Sequence, residues 1–180
     1  SREGTVVDAD DLIEEVITEA RKNVEERGEL TELSKAERDE IIRKIGLAAL
    51  KFFIIKVQPK KRMVFNPAES VDMQGQTGPY VQNAFVRIQS ILRKAGEVNG
   101  DYTTYDKLES LEKDLLGKLY AYPALVKNAA ENLDPSEIAN YSYELAKSFH
   151  KFYHDHSILK AETEAAKHFR LALSKLIAQV

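Results

Sequence analysis

Histidines near residue 150 are the first side chains whose types and spacing could do chemistry. His150 and His154 stand at i, i+4, which places two imidazoles on one helix face where they can chelate zinc, and Asp155 and His156 follow directly. No glutamate completes an HExxH frame, and histidines at a helix C-terminus also interact favourably with the helix dipole. We therefore expect no metal site, with a hydrolytic histidine site as the weaker alternative. The sequence also lacks a P-loop, a GxGxxG run and a serine elbow.

The distribution of charge indicates a different chemistry, the binding of a polyanion. Residues 1–40 hold 14 acids and 6 bases, residues 41–96 hold 2 acids and 10 bases, and residues 97–180 hold 13 acids and 10 bases. A block with this excess of bases favours a partner rich in phosphate. The alternative is that the acidic first block and the basic second block face one another.

One predicted helix in the basic block carries uncharged or basic polar groups along one side. Its apolar residues recur from Val81 to Ala95 at the i, i+3, i+4 spacing of a core-facing stripe, and Pro79 after Gly78 is typical of a helix start. The opposite face consists of Gln82, Asn83, Arg87, Gln89 and Arg93. Amides and guanidiniums donate hydrogen bonds without bringing negative charge, so this face suits either phosphate or plain water.

Further candidates for nucleic-acid contact lie outside that helix. A basic turn, Lys60 to Arg62, follows Pro59, although a solvated loop is the simpler interpretation. Tyr143 and Tyr153 lie off the apolar stripe of a long aromatic helix and could stack on unpaired bases. Most aromatic residues at helical spacing are core residues, and the pattern alone does not separate these two uses.

Helix starts and stops predict an all-α protein. Capping patterns at Asp8, Ser34, Asp106 and Asp134 begin four helices, and Pro123 should end the third of them and start a shorter helix to Leu133. A short extended piece is expected at residues 5–7, and a last helix from about residue 161. The irregular segment before Gly75 suggests a domain boundary near Gln74, with domains at residues 1–74 and 75–180.

Composition excludes several classes of protein. There are no cysteines, which removes disulfides and thiolate metal sites. No apolar run approaches the roughly 20 residues of a membrane span. We expect a cytoplasmic protein without a membrane partner.

Two runs of sequence resemble the arginyl-tRNA synthetase family. The first, GLAALKFFIIKVQPKKRMVFNPAESVDMQGQTGPYVQNAFVRIQSILRKA, is similar to the junction between the catalytic and anticodon-binding domains of these enzymes, and the second, ANYSYELAKSFHKFYHDHSIL, to an anticodon-binding helix. The GxTGPYxQ turn, the VRI helix and the FxxFYHDH helix end occur in the family's order. The chain departs from the family at Ala48–Lys51, where Asp-Ala-Leu-Arg is usual, and at Asn83, where an aromatic residue is common.

The resemblance implies that the chain contains parts of two domains. Residues 1–74 would be the C-terminal end of a catalytic domain, with Ser1 and Arg2 as the tail of a KMSKS-type loop, and residues 75–180 an anticodon-binding helical bundle truncated at its C-terminus. This fragment is expected to hold no catalytic residue, to bind no cofactor and to be inactive alone. The parent enzyme would join arginine to its tRNA with ATP and magnesium.

The resemblance also implies partners and contacts. The expected partners are an arginine tRNA and an upstream catalytic domain of the same chain, with the protein a monomer. Phosphates would be contacted by Arg87, Lys94, Lys60, Lys61 and Arg62. Polar or stacking contacts would come from Tyr80, Gln82, Asn83, Tyr143 and Tyr153. A helical protein–protein interaction module that binds no nucleic acid is the alternative function.

Overall fold

The computed structural model describes residues 8–28, 30–96 and 103–180. Within these residues the secondary structure is helical, with no strand, which confirms the predicted all-α class. Ser1, Arg2 and the predicted extended piece at residues 5–7 lie outside the described residues. The helices are α1 (Ala9–Glu26), α2 (Lys35–Ile55), α3 (Pro67–Ser70), α4 (Gly78–Ala95), α5 (Ser110–Glu131), α6 (Ser136–Asp155) and α7 (Glu164–Gln179).

Capping side chains explain where several of these helices begin. The side chain of Asp8 accepts a hydrogen bond from Asp10 N at 2.9 Å, and α1 starts as predicted. Ser34 and Glu37 form the predicted capping box, and the hydrogen bonds with Ser34 lower the pKa of Glu37. Thr163 caps α7 by accepting from Ala166 N at 3.1 Å, so that helix begins later than the sequence suggests.

Pro123 does not end a helix, and the predicted break there is wrong. Helix α5 continues through Pro123 to Glu131. A proline in a helix interior leaves the carbonyl four residues earlier without its donor and strains the neighbouring turn. That carbonyl is the one of Leu119. The carbonyl before it, that of Lys118, accepts a hydrogen bond from the hydroxyl of Tyr141 on α6 at 2.9 Å, and α5 packs along α6. Packing against α6 therefore stabilises a helix that local sequence would interrupt.

The chain divides into two compact units, one up to Tyr80 and one from Val81 onward. In the first unit α1, α2 and α3 pack around a buried cluster of Val16, Ala20, Val24, Ile42, Ala49, Leu50 and Val71. The start of α4 lies directly on α2, because a Cβ added to Gly78 would lie 2.3 Å from the carbonyl oxygen of Ala48. Only glycine permits this approach.

The second unit is a helical bundle built from α4, α5, α6 and α7. The side chains of Phe149, Phe152, Ile88, Leu115, Leu171 and Leu173 are almost fully buried in it. Phe149 and Phe152 lie on the predicted apolar face of α6, which leaves the next residue, Tyr153, at the surface. Across the described ranges no helix is both long enough and apolar enough to cross a bilayer.

Candidate nucleic-acid interface

A cleft of about 580 Å³ opens on the surface of the second unit. Its walls are one side of α4, the C-terminal end of α6 and the loop of residues 156–160 that follows. We call this feature the α4–α6 cleft. The lining residues are Asn83, Val86, Arg87, Ser90, Ile91, Lys94, Tyr153, His156, Ser157, Ile158, Leu159 and Lys160.

Arg87 and Tyr153 form the best-defined part of the cleft. The guanidinium carbon of Arg87 lies 4.8 Å from the centroid of the Tyr153 ring, a cation–π contact. The Tyr153 ring is in turn nearly parallel to that of the buried Phe149, with 6.3 Å between centroids, and remains 40% exposed. The ring is thus held by Phe149 and Arg87, and its exposed part can contact a planar base.

His150 fixes the other side of Arg87. Nη1 of Arg87 lies 3.2 Å from Nδ1 of His150. A guanidinium can only donate, so Nδ1 accepts, and the proton of the neutral imidazole must be on Nε2. The half-buried Arg87 side chain is thus held between an imidazole and a phenol ring before any ligand arrives.

The charge of the cleft favours an anion. Among the residues that the structure describes, its lining includes Arg87, Lys94 and Lys160 and no aspartate or glutamate. The nearby carboxylate of Asp155 is exposed and accepts a hydrogen bond from Nδ1 of His154 at 2.8 Å, which lowers the pKa of Asp155. Three cations around one concave surface attract phosphate, and the amide of Asn83 and the hydroxyls of Ser90 and Ser157 can read polar edges.

The histidines considered as metal ligands have different neighbours. Nδ1 of His150 faces Arg87, whereas Nδ1 of His154 faces Asp155. Among the residues that the structure describes, no group of three or more His, Cys, Asp or Glu side chains is placed to hold a metal ion.

The structure brings together four of the residues proposed from sequence to contact RNA: Asn83, Arg87, Lys94 and Tyr153 line the cleft. Gln82 and Tyr143 belong to the same unit but not to the lining, and both are half-buried. The remaining four, Tyr80, Lys60, Lys61 and Arg62, belong to the first unit. The three basic residues are exposed there, after a turn in which Lys61 N donates to Gln58 O at 2.9 Å.

Sequence reasoning missed the loop that forms one wall of the cleft. Residues 156–160 appear in the sequence only as a helix end, yet all five line the cleft. Ile158 is buried, and Ser157 Oγ accepts from Lys160 N at 3.1 Å, which folds the segment into a turn. The spacing of this serine and lysine after a helix end is a signal that could have been used.

A buried ionic network lies behind this loop. Nε of Arg170 donates to Oε1 of Glu112 at 2.7 Å, and both side chains are almost fully buried. Nη1 donates to the carbonyl of Ser157 at 2.9 Å, and the two terminal nitrogens also bind the two oxygens of Glu162 at 3.1 and 2.9 Å. The other Glu112 oxygen accepts from the hydroxyl of Tyr105 at 2.7 Å and from Glu109 N at 2.8 Å. Both oxygens of Glu112 and all three guanidinium nitrogens of Arg170 therefore have hydrogen-bond partners, as a buried ion pair requires.

The network shifts the titration of its members. Burial and the hydrogen bond to Glu112 raise the pKa of Tyr105 to about 12. Burial alone would lower the pKa of Arg170, but the hydrogen bonds with Glu112, Tyr105 and Glu162 raise it above its ordinary value. Hydrogen bonds from its own backbone N–H and from Arg170 lower the pKa of Glu162. The three residues keep their ordinary neutral-pH charge states.

The bundle matches a known domain family. The sequence profile of the DALR anticodon binding domain matches residues 81–180. The chain is 48% identical over 184 residues to an arginine–tRNA ligase of Bacteroides thetaiotaomicron, covering all of this chain and 31% of the relative. It is 49% identical over 180 residues to that of Flavobacterium psychrophilum, covering 99% of this chain and 30% of the relative.

Solved structures agree with the sequence matches. The Thermus thermophilus arginyl-tRNA synthetase superposes with a TM-score of 0.86 at 31% identity, covering 97% of this chain and 30% of the other. The Plasmodium falciparum arginyl-tRNA synthetase superposes with a TM-score of 0.83 at 23% identity, a likeness of fold. The chain thus spans about 30% of the length of the relatives it matches.

Proposed function

The chain belongs to the DALR anticodon-binding domain family, and we propose that residues 81–180 bind the anticodon stem and loop of an arginine tRNA. The observation that carries this proposal is the α4–α6 cleft. It combines three cations, an exposed tyrosine held by packing and an arginine fixed by two neighbours. Cations that track a backbone and aromatic rings that stack on bases are what single-stranded RNA requires.

Each lining residue has a role that follows from its chemistry. Lys94 and Lys160 supply mobile positive charges for phosphate oxygens. Arg87 presents a planar guanidinium that can bind phosphate or continue the stack begun by Tyr153. Asn83 offers an amide to the edge of an unpaired base, where an aromatic residue would only stack.

Several residues outside the cleft are further candidates for tRNA contact. Tyr80 and the basic turn Lys60–Arg62 remain candidates for contact with the same tRNA. Gln82 and Tyr143 are candidates on the second unit. Their support is the family resemblance and, for the turn, its exposure.

For the whole protein we propose arginine–tRNA ligase activity, in which ATP and arginine form an adenylate and the arginyl group is transferred to tRNA. The support is the similarity to arginine–tRNA ligases along the full chain. Magnesium would serve that reaction in the whole protein, and we assign the described residues a role in tRNA binding only. We expect the 180 residues alone to bind tRNA without activating arginine.

Fluorescence anisotropy with a labelled arginine tRNA tests the binding proposal. If the three lining cations each neutralise one phosphate, log affinity should fall with log salt concentration with a slope of about −2 to −3. Absence of binding at low salt would overturn the proposal.

A matched pair of tyrosine variants tests where the tRNA binds. Tyr153→Ala should weaken binding by roughly 5- to 150-fold, since one stacking contact contributes about 1–3 kcal/mol. Tyr120→Ala is the control, because Tyr120 is 90% exposed and lies outside the cleft lining. Equal effects of the two substitutions would place the tRNA elsewhere.

A further inference from the structure

We propose that Arg170 is a positioning residue for the α4–α6 cleft. It does not line the cleft, but it holds in place the loop after α6 that forms one wall of the cleft. The inference rests on the proposed RNA-binding function of the α4–α6 cleft. Arg170 lies on the core-facing side of α7 and is 2% exposed, so it cannot reach RNA itself. It acts through the segment Ser157–Glu162, which we call the cleft loop.

The hydrogen bonds of Arg170 point to both ends of the cleft loop. Nη1 donates to the carbonyl of Ser157 at 2.9 Å, at the beginning of the loop. The two terminal nitrogens grip both oxygens of Glu162, at the end of the loop. One rigid guanidinium thus joins the backbone carbonyl of Ser157 to the side-chain carboxylate of Glu162, and the residues between them include Lys160, a lining cation.

The inner side of the guanidinium is fixed just as firmly. Nε binds Glu112 at 2.7 Å, and Glu112 is fully buried at the start of α5. Its second oxygen is held by Tyr105 and by Glu109 N. Arg170 cannot rotate or shift without breaking its hydrogen bond to Glu112. The position of the cleft loop is therefore fixed by the buried core of the bundle.

Two other features make the loop depend on this arginine. Ile158 is buried and resists outward movement, but its neighbours Leu159 and Lys160 lie in a turn in which Lys160 N donates to Ser157 Oγ. The turn is short, and Arg170 binds its first carbonyl, that of Ser157. A loop with few buried contacts opens readily, and a wall that opens costs binding affinity.

Glu162→Gln tests the proposal with little risk to the fold. The glutamate side chain is 60% exposed, and its loss leaves the buried pair of Arg170 and Glu112 intact. Hydrogen exchange of residues 156–163 in the intact protein should become faster, while the melting temperature stays unchanged. The affinity for arginine tRNA should fall about 3- to 10-fold, the effect of one lost charge-assisted hydrogen bond.

The sign of the affinity change separates positioning from simple electrostatics. Removing a negative charge near the cleft would by itself strengthen the binding of a polyanion. Weaker binding therefore indicates loss of loop geometry. Glu131→Gln is the matched control, since Glu131 is 64% exposed, pairs with Lys127 and lies outside the cleft lining, and it should alter neither loop exchange nor affinity.

Arg170→Lys provides a second variant with the charge kept. A lysine ammonium can hold Glu112 but cannot span both ends of the loop, so the same loss of loop protection and of affinity is expected. The proposal is overturned if either variant leaves loop exchange unchanged, or loosens the loop without weakening binding. If the wild-type protein binds no tRNA, the proposed function fails, and the exchange data still decide whether Arg170 positions the loop.

Discussion

At the scale of single residues, Arg87 shows how a surface side chain is prepared for a ligand. It joins α4 to both Tyr153 and His150 on α6. Ordering a long side chain on binding costs conformational entropy. Because Arg87 is already ordered by packing in the free protein, this cost does not reduce its affinity for a ligand. The geometry of the guanidinium, and not only its charge, should therefore contribute to affinity.

Replacement of Arg87 by lysine separates these two contributions. Lysine keeps the positive charge but has no planar group to lie on Tyr153. We expect tRNA binding to weaken by about 3- to 10-fold, measured by anisotropy at fixed salt. Arg93→Lys on the same helix is the control, because Arg93 is exposed and does not line the cleft. Similar losses for both variants would show that the stacking geometry is irrelevant.

Tyr105 gives a prediction for alkaline pH. Its folded-state pKa is raised from 10.0 to about 12, so the folded protein retains a proton that the unfolded chain loses first. The stabilising contribution is complete below pH 10 and should be lost as pH rises toward 12. The free energy of unfolding from urea titrations should fall by up to about 2 kcal/mol more across this window in wild type than in Tyr105→Phe. Identical pH dependence of the two proteins would show that this hydroxyl does not hold its proton in the fold.

At the scale of elements, two glycines in helices show how differently the same residue can be used. A Cβ on Gly78 would meet the carbonyl of Ala48 at 2.3 Å, whereas nothing lies within 4 Å of a Cβ on Gly117 in α5. Gly78→Ala must separate α4 from α2 and should destabilise the first unit by about 1–3 kcal/mol. Gly117→Ala should stabilise α5 by about 0.5–1 kcal/mol, because alanine is the better helix former.

Thermal unfolding followed by circular dichroism measures the change in stability of each variant. Hydrogen exchange assigns each change to its unit. The opposite signs are the test: a tolerated Gly78→Ala would mean that α2 and the start of α4 are not in close contact.

The elements also show where local sequence is sufficient. Asp8 and Ser34 predict two helix starts because a cap involves only residues within one turn. Pro123 misleads because α5 is supported by packing against α6, including the hydrogen bond from Tyr141 to the carbonyl of Lys118, and local sequence does not show this contact. The same limit explains the site: Arg87 and Tyr153 are recognisable separately as a polar face and an off-stripe aromatic, but only tertiary structure brings them together. The pairing of Arg170 with Glu112 could not be predicted from the sequence. A charged residue at a core-facing position implies a buried partner, but the sequence does not identify that partner.

At the scale of the whole molecule, the basic block seen in the sequence is divided between the two compact units. Of its ten bases, seven precede Val81 and belong to the first unit, while Arg87, Arg93 and Lys94 belong to the second. The cleft takes two of these three and adds Lys160 from the segment with a net negative charge. Linear charge counts therefore suggest the polyanionic partner of the proposed function, but the local arrangement of cations depends on the fold.

The most direct test of the central claim is nuclear magnetic resonance mapping of the intact protein with the anticodon stem-loop of an arginine tRNA. Backbone amide shifts on titration should concentrate in residues 83–94 and 153–160, the two segments that line the cleft. They should leave the surface around Tyr120 unchanged. Shifts that cluster away from the cleft, or a stem-loop that binds without perturbing either segment, would contradict the assignment of the α4–α6 cleft as the RNA-binding site.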